Sequence, residues 1–428
     1  MRASRSQRIR HGTERRSPAR MVAAALLASA MMLTSAACSS GDGGGPAWRG
    51  GGDDNAAKSA ATITTPAADA KDVPTSTEIS FTAPGATNPT VELKDAAGAV
   101  VEGKLAADGK TWLPNAQLKY ETTYTATVTA ADSDGNPTTT TSNFTTMTKP
   151  ANQIRVSSFL GDGAVVGVAM PLRLSFSRNI PEDYRDDVQR RLMVQADPPQ
   201  EGIWHWVKPN EVNFRPKEFW QANTKISYKA QLGGLPMGDN WYGRSDLTVD
   251  IKVGSSVIMV VDNKTKQMTV TKDGKVIRTI PISLGKKSTP SSSGTMVIIE
   301  KLKKTVFNTM DEPDPANRYI TDIEYAQRLT WGGEFIHAAP WSVADQGKRN
   351  VSHGCVNMST ANAAWLFNQT RVGDPITVKN TEVKLQNGNG WTDWNMSWEE
   401  YVKGSALPYQ PATDATPGSG DPSGSPTT

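Results

Sequence analysis

Between Ala61 and Val253 the chain repeats one device: short runs in which apolar and polar residues alternate, each cut off by a turn signal. Glu78-Ile79-Ser80-Phe81, Val91-Glu92-Leu93 and Thr123 to Val128 are such runs, and Pro-Gly, Ala-Gly, Asp-Gly and Gly-Asn pairs separate them. A period of two places alternate side chains on opposite faces of a strand, so the pattern predicts antiparallel sheets packed face to face. The logic is used twice, over 61–149 and over 150–253. Phe219 to Leu232 parallels Leu118 to Val128, each placing an apolar residue shortly before a Tyr-x-Ala strand, so two tandem Ig-like sandwiches are expected. A short helix is expected within Pro181 to Leu192. Trp204, Trp206 and Trp220 read as sandwich core rather than as a sugar-binding face.

At 428 residues the chain is long enough for several domains. From Gly254 a third unit begins with a buried strand at Val257 to Asp262, an alternating one at Gln267 to Thr271, a Lys-Asp-Gly-Lys turn and a further strand at Val276 to Ser283. One helix is expected inside this β-rich module, Thr360 to Gln369, opened by Ser359 as its cap. The module is expected to span 254–382. A small Trp-rich C-terminal subdomain, 383–405, carries Trp391, Trp394, Trp398 and Tyr401, which are expected to pack on the third module. Residues 406–428, dominated by Pro, Gly, Ser and Thr, read as a disordered tail.

The net charge of +3 is a property of the N-terminus. Residues 1–37 hold seven arginines against one glutamate, so the remainder is slightly acidic and gives nucleic acid no basic face to bind. Those residues read as a signal peptide: an arginine-rich start, the apolar run Met21 to Leu33, then Ser35-Ala36-Ala37 before Cys38. Small residues leading into a cysteine resemble a bacterial lipobox. The resemblance implies lipidation of Cys38 and a protein exported, anchored to the cell membrane and facing the wall. Residues 38–60, rich in Gly, Asp, Ala and Ser, read as a flexible linker.

Cys38 and Cys355 are the only two cysteines, and each has a local context of its own, so Cys355 is read as a free thiol rather than as half of a disulfide. Two of the four histidines stand near it. His353 lies two residues before Cys355 in Ser352-His353-Gly354-Cys355-Val356-Asn357, and His337 lies upstream in Phe335-Ile336-His337-Ala338-Ala339-Pro340-Trp341. A cysteine nucleophile needs a base close by and donors for a developing oxyanion, and Gly354 lets successive backbone N–H groups converge. A zinc site would want three or four ligands, and no second cysteine or close carboxylate was found to complete one.

At these residues the chain resembles the YkuD-type L,D-transpeptidase family, whose signature is a histidine, a spacer of some fourteen residues, then Ser/Thr-His-Gly-Cys-x-Asn. The mature chain as a whole resembles the mycobacterial type, including the His-x-Ala-Pro-Trp-Ser-Val stretch at His337 to Val343. The resemblance implies a mainly β fold of two Ig-like sandwiches, a YkuD-type catalytic domain and the small C-terminal subdomain. It further implies transfer of a peptidoglycan tetrapeptide stem onto a diaminopimelate acceptor, giving 3→3 cross-links without a cofactor or metal. By position, Cys355 is the nucleophile and His337 the base, held by the main-chain carbonyl of Ala338. Amides of His353, Gly354 and Cys355 form the oxyanion hole, and Ser352 and Asn357 brace the loop. Tyr319, Gly332, Gly333, Asn357 and Trp341 contact substrate. Carbapenems are expected to acylate Cys355, because a site built for a stem carbonyl also suits a strained lactam. A lid hairpin is expected over about Thr305 to Thr330, with Tyr325 and Trp331 packing it, although Met310 to Pro315 lacks an aromatic residue some relatives have there. The family's occasional calcium site is not expected, since Leu232 to Pro236 offers no carboxylate. A cysteine carboxypeptidase or endopeptidase on the same stems and a non-catalytic wall-binding protein are the competing readings. The sandwiches are expected to act mainly as spacers, so that a piece starting near Gly254 would work alone.

Overall fold

The structure, a computed structural model, describes residues 61–410 apart from 107, 132–135, 311–313 and 316–317. The expected signal peptide, linker and Cys38 lie outside the described residues, as do 411–428.

Alternation builds the first pair of sheets as the sequence dictates. Tyr124, Ala126, Val128 and Ala130 all point inward from the strand Thr123–Ala131 and pack with Ile79, Phe81, Leu93, Trp112 and Phe144. Four strands face five across this core. The second pair repeats the plan with two four-stranded sheets around Leu172, Leu174, Val212, Ile226, Tyr228 and Val249. Trp204, Trp206 and Trp220 are buried in that core, and the short helix runs over Arg185–Arg190. The two tyrosines of the repeated motif are both buried but are satisfied differently. Tyr124 Oη accepts from the Lys119 amide at 3.0 Å, whereas Tyr228 Oη pairs with Ser158 Oγ at 2.5 Å.

The third unit holds a six-stranded sheet, in the order Lys275–Pro281, Gln267–Lys272, Val257–Asp262, Pro375–Lys379, Ser292–Val297, Val383–Lys384. A second sheet of four strands runs Glu300–Asn308, Ile320–Arg328, Phe335–Ala338, Val356–Met358. The helix Thr360–Gln369 packs on the latter, and its Ser359 cap accepts from the Asn362 amide. Val257, Met259, Ile336, Val356, Leu366 and Ile376 fill the space between.

Three expectations are corrected here. The C-terminal aromatic residues pack chiefly on the second sandwich, not on the third unit. Trp391 is buried in that sandwich's core with Phe159 edge-on at 4.7 Å, and Trp394 Nε1 donates to the Ala169 carbonyl at 2.7 Å. Arg215 explains the attraction: its guanidinium lies 4.5 Å from Trp394 and 4.4 Å from Tyr401, and a buried cation is best met by aromatic faces and carbonyls. The stretch read as tail also stays on this sandwich through Gln410. The Ala406 amide donates to Gln189 Oε1 at 2.9 Å and Tyr409 meets Trp398 edge-on. Finally, the second sandwich is no detachable spacer. Gly167 and Ala169 amides donate to the Val372 and Gly373 carbonyls at 2.8 and 2.9 Å, and Val297 and Ile299 belong to the sandwich's core. A side chain at Gly167 would run into the Asp374 backbone at 2.2 Å, so the close approach requires glycine. A piece starting at Gly254 would expose that shared core to water.

Contacts between the first and second sandwiches are of another kind. Arg191 pairs with Glu78 at 2.7 Å, Gln231 donates to the Asn115 carbonyl at 2.7 Å, and Asp246 accepts from the Gln117 and Gly233 amides. Asp246 thus brings a carboxylate to the Leu232 to Pro236 loop from outside it, and spends it on amides. Among the described residues no cluster of three or more acidic, His or Cys side chains could hold a metal ion.

Candidate active site

The loop that carries Cys355 runs straight into a strand. Val356–Met358 lies parallel to Phe335–Ala338, with His337 opposite Asn357. Since strand side chains alternate with a period of two, Cys355, Asn357 and His337 project from the same face of this sheet. The signature's separate halves therefore meet because two adjacent strands carry them. Gly354 has a φ of 121°, open to glycine and strained for other residues; a side chain there would meet only Glu334 Cγ, at 3.8 Å. The turn needs glycine for its backbone, not for space.

Ser352 closes that turn from inside. Its hydroxyl donates to the Cys355 carbonyl at 2.7 Å and accepts from the Gly354 amide at 3.1 Å. The expected set of oxyanion donors is narrowed by this, because the Gly354 amide is already committed. Asn357 Nδ2 reaches Ser342 Oγ at 3.3 Å, and its backbone exchanges hydrogen bonds with Ser283.

Cys355 is a free, buried thiol, 7% exposed. Its S–H donates to the Gly333 carbonyl at 3.6 Å, and its sulfur is met by the Phe335 amide. Burial pushes the thiol up to about 12 despite that amide, with Glu334 adding to the rise. His337 is 4% exposed, and its Nδ1 lies 2.8 Å from the Ala338 carbonyl. A carbonyl only accepts, so Nδ1 carries the proton and Nε2 keeps its lone pair. Burial holds the imidazole down at about 4, opposed by the Ala338 contact. At neutral pH the resting pair is thus thiol and neutral imidazole, not thiolate and imidazolium.

His353 stands differently. Its Nε2 is 3.0 Å from Lys286 Nζ, and its ring lies 5.1 Å from that of Tyr319. The strands Glu300–Asn308 and Ile320–Arg328 form the hairpin over the site, and it offers an aromatic ring to each histidine: Tyr319 to His353, and Phe307 to His337 at 5.3 Å. Phe307 supplies aromatic cover that Met310 to Pro315 does not; 311–313 lie outside the described residues. Tyr325 turns away and packs edge-on against Phe367, as lid packing should, while Trp331 stands 47% exposed on the rim beside Arg328.

Two cavities share Cys355 in their walls, together with Phe307, Tyr319 and His353. One, of about 430 Å³, is lined by Phe307, Tyr319, His337, Trp341, Ser352 and Asn357 together with His353 and Cys355. The other, of about 480 Å³, is lined by Arg328, Trp331, Gly332, Gly333 and Phe335, again with Tyr319, His353 and Cys355. Every described site residue named from the sequence lines one of these spaces except Gly354, which shapes the turn before Cys355. Sequence reasoning missed Lys286, Glu334, Arg328 and Asn389, whose Oδ1 accepts from the Gly332 amide at 2.8 Å. Only Glu334, three residues before His337, carried a local signal, a lone carboxylate amid apolar neighbours.

A buried cysteine thus lines two clefts, with a histidine on the adjacent strand lining one of them. The chain belongs to the L,D-transpeptidase family. Residues 256–378 match the L,D-transpeptidase catalytic domain family (YkuD), and 70–236 match a bacterial Ig domain family. The chain is 33% identical to L,D-transpeptidase 2 of Mycobacterium tuberculosis over 333 residues, covering 77% of this chain and 80% of that protein. It is also 33% identical to L,D-transpeptidase 5 of the same species over 360 residues, 82% and 78% of the two chains. Among solved structures, an L,D-transpeptidase from Mycobacterium smegmatis is 33% identical across 53% of this chain and 99% of its own, with a TM-score of 0.44. The structure of the L,D-transpeptidase LdtMt1 in complex with imipenem is 34% identical across 54% of this chain and all of its own, with a TM-score of 0.46.

Proposed function

We propose that this chain forms 3→3 cross-links in peptidoglycan through a Cys355 thioester. The observation that carries the reading is that Cys355 lines two cavities, one walled by His337 and the other by Gly332 and Gly333. A transpeptidase must admit a donor and an acceptor to one atom from two sides.

The donor tetrapeptide presents the carbonyl at the L-centre of its diaminopimelate. The Cys355 sulfur adds to that carbonyl as its proton passes to His337 Nε2, and the oxyanion is met by backbone N–H at the nucleophile turn, the Cys355 amide foremost. Collapse breaks the C–N bond, and D-alanine leaves with the proton from His337. The side-chain amine of a second diaminopimelate then attacks the thioester. His337 takes the amine's proton, the C–S bond breaks, and the sulfur recovers the proton as the amide forms. Because the resting groups are both neutral, proton transfer belongs to the attack itself, and a stray electrophile meets a thiol rather than a thiolate.

Tyr319, Gly332, Gly333, Asn357 and Trp341 would hold the stems, and the same seat would accept a carbapenem carbonyl, with ring opening in place of D-alanine loss. Export and lipidation at Cys38 would tether the enzyme to the outer face of the cell membrane, where its substrate lies. The experiment is incubation of the mature protein with a disaccharide-tetrapeptide. Mass spectrometry should find a dimer lighter by one D-alanine than two monomers. Tripeptide monomer alone would make the enzyme a hydrolase instead.

A further inference from the structure

Glu334 has no place in the reaction as described, yet it occupies the position between the two backbone groups that touch the sulfur. The residue before it, Gly333, accepts the S–H through its carbonyl, and the residue after it, Phe335, gives its amide to the sulfur. The Glu334 carboxylate is part-buried and turns to Ser292, whose hydroxyl donates at 2.7 Å and whose amide lies 3.2 and 3.4 Å from its two oxygens. Among the described residues no cation forms an ion pair with it. Its backbone is fixed as well, the amide donating to Thr330 Oγ1 at 3.0 Å and the carbonyl accepting from Leu329. Next to Ser292, Ser291 accepts from the Gly285 amide at 2.9 Å and donates to the Gly354 carbonyl at 2.6 Å. Two neighbouring serines at the start of one strand therefore secure both halves of the sulfur's seat: Ser291 the nucleophile turn, Ser292 the Gly333 to Phe335 segment.

We propose that Glu334 is a positioning residue of the transpeptidase, which fixes the backbone seat of Cys355 and sets an uncompensated carboxylate beside the thiol so that the free enzyme keeps its proton. The inference rests on the reading of Cys355 as nucleophile. A like charge nearby disfavours ionisation, so each of the two groups opposes the other's negative form. Burial raises the Glu334 carboxyl and, together with Glu334, raises the thiol, which agrees in sign. The remaining ionisable groups around the thiol are His337, His353 and the Tyr319 phenol in the cavity walls, Lys286 behind His353, and Arg318 and Arg328. Apart from the phenol, those are basic. Glu334 is the carboxylate of the surround, and its charge pushes the thiol toward its protonated form.

The test is alkylation of the full chain by iodoacetamide across pH, followed as intact mass, with Cys355→Ala to confirm the site of reaction. This readout needs no transpeptidation, so failure of the inference is distinguishable from failure of the proposed activity. Glu334→Gln keeps the side chain's shape and removes its charge. Its alkylation profile should move to lower pH by on the order of one unit, and its rate on the rising limb should increase about tenfold, with an unchanged melting temperature. Glu334→Leu, which removes the charge without burying an amide, should move the profile in the same sense if the glutamine variant folds poorly. Profiles that superimpose on wild type, or that move to higher pH, in a folded variant would overturn the inference.

Discussion

The strand Phe335–Ala338 and the loop Ser352 to Cys355 each bring a histidine to the cavity that Cys355 lines, and they hold it in opposite ways. His337 is enclosed, its Nδ1 locked on a carbonyl of its own strand, so one tautomer is enforced and Nε2 keeps its lone pair. His353 rides on the nucleophile's own turn and leans on Lys286, a cation, at 3.0 Å. A base on a separate strand can face the sulfur and the departing amine across a cleft. One on the same tight turn has little such freedom, and its backbone matters more than its ring. The difference teaches that closeness in sequence to Cys355 does not decide how firmly a histidine is held.

The sharpest way to break this comparison is to remove each ring in turn. His337→Gln should lower the rate of acylation by a carbapenem by ~10²–10⁴, the usual worth of general acid–base catalysis. Stopped-flow fluorescence on a folded variant would measure it, and a loss confined to His353→Gln instead would assign the base to the loop.

Stability separates the two as well. The imidazole of His337 is held at about 4 in the folded chain against 6.5 when free, so between those values the unfolded state binds the extra proton. Its contribution is therefore intact above pH 6.5 and is lost as pH falls towards 4, by ~3 kcal/mol for a shift of this size. Denaturant melts at pH 7 and pH 4 should show wild type losing more than His337→Gln by roughly that amount. Equal losses would mean that the ring is not buried neutral.

Smaller effects are expected on the loop. His353→Gln removes ring contacts but keeps the backbone, so carbapenem acylation should remain measurable and fall by about tenfold or less, the worth of one hydrogen bond. Lys286→Met should cost less still, about two- to threefold, as a part-exposed contact does. A Lys286→Met loss as large as that of His337→Gln would show that the cation takes part in the proton transfer.

How much of this could be read in advance divides by distance along the chain. The helix Thr360–Gln369 with its Ser359 cap was legible because a cap and an apolar stripe are local signals. So was the sandwich core, where Tyr124 or Tyr228 stands in a strict alternation. The motif that holds Cys355 and His337 was legible, although only the parallel pairing of two short strands explains why its two halves meet. What lay hidden is what tertiary structure brings together. Lys286 and His353 are 67 residues apart, and Gly332 and Asn389 are 57 apart. Glu334 finds Ser292 across 42 residues, from a loop to a strand of the other sheet, a meeting that no periodicity announces. The docking of Trp391 and Trp394 on the second sandwich was missed for a related reason. Aromatic residues advertise that they will be buried, not against what, and it took the buried Arg215 on a distant strand to decide it.

The acyl-enzyme itself offers the most direct measurement. The mature protein is mixed with a disaccharide-tetrapeptide without excess acceptor, quenched in acid within the first turnovers, digested and mass-mapped. One adduct is expected, the stem less D-alanine, on the peptide containing Cys355, absent from Cys355→Ala along with all dimer. Dimer formed by Cys355→Ala, or an adduct carried by another residue, would contradict it.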